Sequence, residues 1–487
     1  MKRTLLFLGV VALSTAAVKA QDPQLSSWTT NIEGEGGATY TSTELGPGGP
    51  MPGPEDKVVS INGKDYLVTL EEHDDSSNVT KISYSEDFVY VWSTGVASYN
   101  VGPYIYDGNT NTHEKVDHVW QIPRNPTENL GTKTTASLGN LAVFVNGTPY
   151  YPPSDGMYYY DDMGTQLWKR NAGVMEASGF DCSGGHPAGE YYHYHRIPSP
   201  DVVHGIDTMC LSFPSEGLFH LDDTKHSPII GWGFDGFPIY GPYGFTDPNS
   251  ASSGISLMEP SWEKRNYTNG KRISILNETT EMDELVPPSQ HGPDVDATVS
   301  GTTYPLGAFF EDYKYVVGSG DLDRYNGRFC VTPEYPGGIY AYFATVESDW
   351  TPAFPYIMGE ELYGVAAEDN LSIGAGGDLG SSVSVNESTT PYFPVVTGTI
   401  TGSEAANLLN AYPNPATSFM TINLNELMGQ DVAVRVLDMM GNEIQSENIS
   451  NLNYMLHVVD LNAMETGNYV LQVQGQRLSL SQQITVQ

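Results

Sequence analysis

The chain has 487 residues, a length that corresponds to about two to four domains of ordinary size. It carries 59 acidic side chains against 22 Lys and Arg, a formal net charge of −37. Such a charge repels phosphate backbones and anionic lipids, so the composition argues against nucleic acids and membrane surfaces as partners. The 51 Gly, 32 Pro and 31 Tyr favour short β-strands joined by many turns over a helical bundle.

The first 20 residues have the order of a secretory signal peptide. Lys2 and Arg3 supply a positive start, Thr4 to Val18 is largely apolar, and small residues stand just before Gln21. This order predicts cleavage before Gln21 and export of the mature chain. No other apolar run approaches about 18 residues, so we expect no transmembrane segment after the signal peptide.

The remaining chain divides by composition into four parts. Residues 21–83 are a turn-rich and β segment, and short β-branched and aromatic runs continue through residues 84–364. Residues 365–404 are rich in Gly, Ser and Thr, as is typical of a flexible linker. Alternating strands in residues 405–487 predict a small Ig-like antiparallel β-sandwich. The expected fold is therefore mainly β, with a large, irregular central domain followed by this sandwich.

A histidine cluster is the strongest chemical signal in the sequence. Six of the eleven His lie between residues 186 and 226. His193 and His195 alternate with tyrosines, so on a β-strand both would project from the same face. His186 lies across a Gly–Pro–Ala–Gly turn and could fold back as a third ligand. Three imidazoles would suit a transition metal ion, either zinc or copper.

Other donors lie close enough in the sequence to complete such a metal shell. Asp181, Cys182 and Glu190 flank the three histidines, and His226 stands further along the chain. Cys182 has a competing role, because export permits disulfides. Cys182, Cys210 and Cys330 allow three single pairings, and each pairing leaves one thiol over.

The sequence leaves two readings of this cluster open. An ion with an open coordination position would activate water or support copper redox chemistry, whereas a closed shell would make the ion structural. Paired histidines on a Tyr-rich surface could instead simply donate to backbone carbonyls. The alternative function is then a metal-free surface protein that binds polysaccharide or another exported protein.

Catalytic residues are not identified, because serine-nucleophile, phosphate-loop and dinucleotide motifs are all missing from the sequence.

A β-hairpin is predicted between His226 and Gly244. Asp235–Gly236 is a two-residue turn signal between an apolar run and a second short strand. Asp235 is accordingly interpreted as a turn former rather than a ligand. Pro238 cannot donate to a strand ladder, so the second strand is predicted to lie at a sheet edge.

Three segments of the C-terminal region carry a second sequence signal, namely Ala411–Thr417, Leu437–Gly441 and Gly467–Val473. In their order and spacing they resemble the sorting domains of type IX secretion, which occur in Bacteroidetes. The resemblance implies passage through the periplasm, handling by the outer-membrane type IX secretion machinery, and secretion or attachment at the cell surface. The tail is usually removed in such proteins.

The central region resembles the YHYH family, named for the tetrapeptide that appears here as Tyr192–His195. The resemblance extends from about residue 84 to residue 364 and implies a secreted bacterial protein. Metal binding is an inference from the tetrapeptide itself. Further matching segments are Trp168–Ala172, His226–Gly231, Asp235–Gly244, Leu322–Phe329 and Thr332–Phe343.

Overall fold

A computed structural model places most of the chain after the predicted signal peptide. The residues that it describes are 22–28, 38–46, 51–52, 57–61, 64–72, 77–95, 97, 101–104, 113–135, 139–160, 165–181, 184–197, 223–277, 280, 282–371, 382–393, 399–401, 409, 411–424, 427, 432–439, 441–449, 456–462, 464–474 and 479–487. The predicted signal peptide lies outside these residues and stays a prediction.

Strands dominate the described structure, as the sequence predicts. Two four-residue α-helices lie wholly within the described ranges, α1 (Pro23–Ser26) and α2 (Ala172–Met175). Single 3₁₀ turns span Ala177–Gly179, Thr268–Gly270, Pro288–Gln290, Phe310–Asp312 and Glu368–Leu371. The first strands are β1 (Ala38–Glu44), β2 (Lys57–Ile61), β3 (Lys64–Glu72), β4 (Val79–Tyr84), β5 (Phe88–Ser93) and β6 (His118–Pro123).

The strands of the middle of the chain are shorter. They are β7 (Ala142–Phe144), β8 (Pro149–Tyr150), β9 (Ser154–Tyr160), β10 (Leu167–Asn171), β11 (Gly185–Ala188), β12 (Tyr191–Tyr194), β13 (Ile229–Gly233), β14 (Pro238–Tyr240), β15 (Tyr243–Phe245), β16 (Ile255–Leu257), β17 (Trp262–Lys264), β18 (Ser274–Asn277), β19 (Met282–Leu285), β20 (Ala297–Val299), β21 (Thr302–Tyr304), β22 (Tyr313–Tyr315), β23 (Gly327–Cys330) and β24 (Ile339–Phe343).

The C-terminal strands complete the chain. They are β25 (Thr390–Phe393), β26 (Thr399–Thr401), β27 (Phe419–Asn423), β28 (Val432–Asp438), β29 (Glu443–Ile449), β30 (Leu456–Asp460), β31 (Gly467–Gln474) and β32 (Ser479–Val486).

A mixed eight-stranded sheet forms the centre of the molecule. Its order is β11–β12–β8–β7–β13–β14–β24–β23, with parallel pairs at β12–β8 and β14–β24. Every residue of β7, β13 and β14 is buried, which explains why these segments read as continuous apolar runs rather than as alternating ones. Trp120, Phe144, Trp232 and Tyr342 are among the fully buried side chains of the surrounding core.

The predicted hairpin forms, but its second strand does not lie at an edge. β13 pairs with β14 in antiparallel orientation, and Gly236 in the turn has a φ of +85°. β14 also pairs with β24 through Ile239 and Tyr240. The edge prediction is therefore wrong. Pro238 is the first residue of β14 and precedes the two residues that pair with β24, so its missing N–H is not needed there.

Segments that precede and follow residues 84–364 pack against this central region. Leu25 and Trp28, beside α1, lie in the central core, and the Gln24 amide donates to the carbonyls of Pro123 and Gly236. A four-stranded sheet has the order β25–β4–β5–β6. β25 thus lies inside residues 365–404, the segment predicted as a flexible linker. Part of this segment forms strand structure, because its Thr–Pro–Tyr–Phe run is compatible with sheet pairing.

The C-terminal residues form two facing sheets around a second core, as expected for a β-sandwich. One sheet has the order β26–β32–β31–β28–β29, and the other consists of β27 and β30. Val432, Val434 and Val436 of β28 are buried while the residues between them are partly exposed, the pattern of a strand with one face on a core. Within the described ranges, no helix is both long and apolar enough to cross a membrane.

Candidate metal centre

The β11–β12 hairpin brings two histidines together across adjacent strands. His186 of β11 is the direct antiparallel partner of His193 of β12. His195 follows His193 by two residues, so its side chain returns to the same face. The turn between the strands contains Gly189, whose φ of +62° is in the left-handed region that glycine tolerates.

The three imidazoles converge on one point. Nε2 of His193 lies 3.1 Å from Nε2 of His186 and 3.1 Å from Nε2 of His195. Together they form a group of possible ligand atoms that all lie within 4.8 Å of one another. A tetrahedral ion with metal–nitrogen bonds of 2.0–2.1 Å separates its ligand nitrogens by about 3.3 Å. The observed spacing is close to that value.

Hydrogen bonds to the other ring nitrogens set the tautomers of two of these histidines. Nδ1 of His193 donates to the Tyr191 carbonyl at 3.1 Å, and Nδ1 of His195 donates to the Pro152 carbonyl at 2.7 Å. A carbonyl can only accept, so in each neutral ring the Nε2 lone pair faces the centre. The Nε2 lone pairs of His193 and His195, whose nitrogens lie 3.1 Å apart, therefore repel each other unless a cation lies between them.

Burial keeps these rings neutral. It lowers the pKa of His186 and of His193 well below the ordinary range, and the neighbouring imidazoles lower both further. Burial also lowers the pKa of His195 to about 4. At neutral pH the rings are therefore unprotonated, the form in which imidazole binds a metal.

Aromatic side chains hold the rings in place. Tyr151 stacks on His193 with 3.9 Å between ring centroids, and Phe180 meets His186 edge-on at 4.8 Å. The Arg196 guanidinium lies 5.1 Å above the Phe180 ring. These contacts restrict ring rotation and exclude water, so the proposed ligands are oriented before any ion arrives.

Glu176 also reaches this centre, although the sequence does not single it out. Its Oε2 lies 3.7 Å from Nε2 of His186 and 3.6 Å from Nε2 of His195, and its side chain is 26% exposed. Glu176 follows α2, well outside the Tyr–His–Tyr–His motif, and it has no spacing signature relative to the histidines. Tertiary structure, in which α2 packs against β9 and β10, brings it into reach.

Asp181 and Glu190, the predicted carboxylate donors, do not join the histidines. Asp181 lies behind the hairpin, where it accepts hydrogen bonds from the Tyr192 hydroxyl at 2.8 Å and from the Gly102 and Gly185 amides. Glu190 is exposed in the turn between β11 and β12. Asp181 thus supports the hairpin from the opposite face, and Glu190 stays at the surface.

His226 lies apart from the three histidines. Its Nδ1 donates to the Ser227 carbonyl at 2.8 Å, and its ring packs against Tyr240 and Phe245. Asp235 is buried in its turn and accepts from the Tyr342 hydroxyl at 2.6 Å, consistent with its interpretation as a turn former.

Of the three cysteines, Cys330 lies within the described residues. Cys182 and Cys210 lie outside the described residues, so the predicted thiolate ligand and a Cys182–Cys210 pairing stay open. Cys330 is buried with a free thiol, and burial raises its pKa.

Two family models match the sequence. The model described as YHYH protein matches residues 119–356, and the model described as secretion system C-terminal sorting domain matches residues 410–487. The first match contains His186, His193 and His195, and the second contains most of the C-terminal sandwich. Neither the curated proteins nor the solved structures contain a match to the chain.

Proposed function

Because the chain is a YHYH-family protein with a type IX secretion sorting domain that directs it to the cell surface or the medium, we propose that it is an exported metal-binding protein. The ion is zinc or copper, and His186, His193 and His195 hold it. The observation that carries this proposal is the convergence of three buried Nε2 atoms, two of them with Nδ1 anchored on a backbone carbonyl.

An ion accounts for this arrangement better than ordinary hydrogen bonding does. A proton on His186 Nε2 could bridge its contact with His193, but the His193–His195 contact would keep two opposed lone pairs. In addition, Nδ1 of His186 is buried and has no hydrogen-bond partner within the described residues. A buried polar cluster left unsatisfied in this way destabilises a fold, whereas coordination to one cation removes the repulsion.

Metal analysis of the secreted protein tests the proposal. We expect about one equivalent of zinc or copper by inductively coupled plasma mass spectrometry in the wild type, and little in the His193→Ala/His195→Ala variant, because the remaining imidazole cannot hold the ion alone. The matched control is His226→Ala, which removes a partly buried histidine outside the cluster and should retain the metal.

Equal metal content in the wild type and the double variant would refute the proposal. A wild type that is purified without metal and then binds neither zinc nor copper when they are added would also refute it. Circular dichroism of the double variant separates loss of ligands from loss of the fold. If that variant does not fold, His193→Gln, which keeps a polar side chain of similar reach, takes its place in the comparison.

A pocket in the central region favours a second candidate function, the binding of polysaccharide. It has a volume of about 150 Å³, and its lining includes Trp262, Phe310 and Phe354 together with Arg324, Glu360 and Glu361. Lys169 forms an ion pair with Glu360 at its border. Aromatic faces beside charged hydrogen-bonding groups suit a sugar ring, whose C–H face is apolar and whose hydroxyls are polar.

Glycan-array binding before and after Trp262→Ala tests this second function. We expect the variant to lose the binding, because the indole would supply the stacking surface, and we expect binding to survive chelation and loss of His193 and His195. Trp350→Ala is the control, since Trp350 is an exposed indole that does not line the pocket. If the wild type binds no glycan on the array, polysaccharide binding is refuted.

A further inference from the structure

We infer that Glu176 is the fourth ligand of the proposed ion, so that four protein side chains close its coordination shell. This inference rests on the proposed metal binding by the three histidines. It adds a ligand that the sequence motif does not contain, and it specifies what the ion does in the protein.

The distances suit a single four-coordinate ion. The two short edges between imidazoles are both 3.1 Å, and the two edges from Glu176 Oε2 to imidazoles are 3.6 and 3.7 Å. A tetrahedral ion with bonds of 2.0–2.2 Å separates its ligand atoms by about 3.3–3.5 Å. These four edges each lie within about 0.2 Å of that range. Glu176 is not among the ligand atoms that all lie within 4.8 Å of one another, so its partly exposed side chain has to turn towards His193 when the ion binds.

Charge favours the same assignment. Three neutral imidazoles leave the full charge of a divalent ion uncompensated in a buried site, which is costly. The Glu176 carboxylate halves that charge. Within the described residues, the other two carboxylates considered from the sequence are committed elsewhere, Asp181 behind the hairpin and Glu190 at the surface.

The backbone that carries Glu176 is held firmly. Its amide donates to the Ala172 carbonyl at 2.9 Å, and its carbonyl accepts from the Gly179 amide at 2.7 Å. Asn171 caps α2 and anchors it by donating to the Gly307 carbonyl and the Tyr356 hydroxyl. An ion bound by Glu176 and the histidines therefore joins α2 to the β11–β12 hairpin.

A closed shell makes the ion structural. With four protein ligands no coordination position is left for water or substrate, which is the arrangement of structural rather than catalytic zinc sites. Three nitrogens and one carboxylate oxygen also suit Zn²⁺ or Cu²⁺ better than Cu⁺, which prefers softer ligands. The ion then stabilises the position of α2 relative to the β11–β12 hairpin.

Cobalt substitution of the full-length protein tests the closed shell directly. The visible absorption of bound Co²⁺ reports coordination number and geometry, and added azide occupies any open position. We expect the wild-type Co²⁺ spectrum to be that of a tetrahedral site and to stay unchanged on addition of azide. In Glu176→Ala, three histidines retain Co²⁺ and the spectrum changes with azide. Glu176→Gln should bind Co²⁺ about tenfold more weakly or worse.

Glu190→Gln is the matched control and should behave as the wild type. An azide response in the wild type, or wild-type affinity and spectrum in Glu176→Gln, would overturn the inference while leaving metal binding by the histidines intact. Failure of the underlying proposal has a different signature, because His193→Ala/His195→Ala would then bind Co²⁺ as well as the wild type does.

Discussion

Single residues at the proposed metal centre have two kinds of role. His186, His193 and His195 present nitrogen atoms to the ion position, whereas Asp181 orients the hairpin that carries them. The Asp181 carboxylate accepts from one side-chain hydroxyl and two backbone amides, so it has little remaining capacity to bind an ion. A carboxylate close in sequence to the motif is thus a support, and a more distant one, Glu176, is in reach of the site.

Strand alternation was enough to predict three of the groups at this centre, and it could not predict the fourth. The spacing of His193 and His195 follows from the two-residue period of a strand, and a tight turn returns His186 to them. The position of Glu176 instead depends on tertiary structure, in which α2 packs against β9 and β10. One acidic residue among the many in this sequence carries no local signal of such contacts.

Glu311 should give the protein a pH-dependent loss of stability. Burial raises its pKa from the usual 4.5 to about 7, with Asp312 and Glu360 nearby adding to the effect. Below about pH 4.5 the carboxyl is protonated in both states, so burial carries no charge penalty. As pH rises to 7 and above, the unfolded state releases the proton first, and this part of the stability is lost.

The difference in the free energy of unfolding between Glu311→Gln and the wild type should therefore shift by about 1–2 kcal/mol in favour of the variant when the pH rises from 5 to 8. Urea unfolding of both proteins at the two pH values measures this difference. Glu263→Gln, on the surface of β17, is the control and should follow the wild type. Parallel pH profiles for wild type and Glu311→Gln would contradict the prediction.

Among the elements, the β11–β12 hairpin is the one on which the site depends most. Gly185 is packed so tightly that a Cβ placed there would lie 2.4 Å from the Tyr192 hydroxyl and 2.9 Å from the His193 carbonyl. The carbonyl belongs to the strand ladder and cannot easily move. Any side chain at position 185 would therefore displace the strand that carries His193.

Gly185→Ala should lower the free energy of unfolding by about 1–3 kcal/mol and reduce metal content, because the shifted hairpin separates His186 from His193. Thermal unfolding and metal analysis of the purified variant measure both effects. Gly189→Asn is the control, since position 189 has open space around it and asparagine tolerates its positive φ. Unchanged stability and metal content in Gly185→Ala would show that the hairpin can adapt.

The same hairpins show where element-level prediction succeeds and fails. The Asp235–Gly236 turn was predictable because a local sequence signal determines it. The position of β14 within the sheet was not, because it depends on β24, a strand that follows about a hundred residues later in the sequence. Local rules on proline therefore predicted an edge for a strand whose pairing is decided by distant contacts.

The molecule as a whole combines a large central core and a separate small core at the C-terminus. Composition and strand alternation predicted this mainly β organisation, since both report on how often the chain turns and which face it buries. They did not predict that the N-terminal helix α1 packs into the central core, because four residues contain too little periodicity to reveal a buried face.

The strand pairings on either side of residues 394–398 constrain how the two cores can be separated. β25 belongs to the central four-stranded sheet, and β26 pairs in parallel with β32 of the C-terminal sandwich. Proteolysis that kept every strand of both sheets would have to hydrolyse a peptide bond between Phe393 and Thr399. A cut after residue 404 would instead leave β26 on the mature product and expose β32 as a bare, aggregation-prone edge on the released fragment.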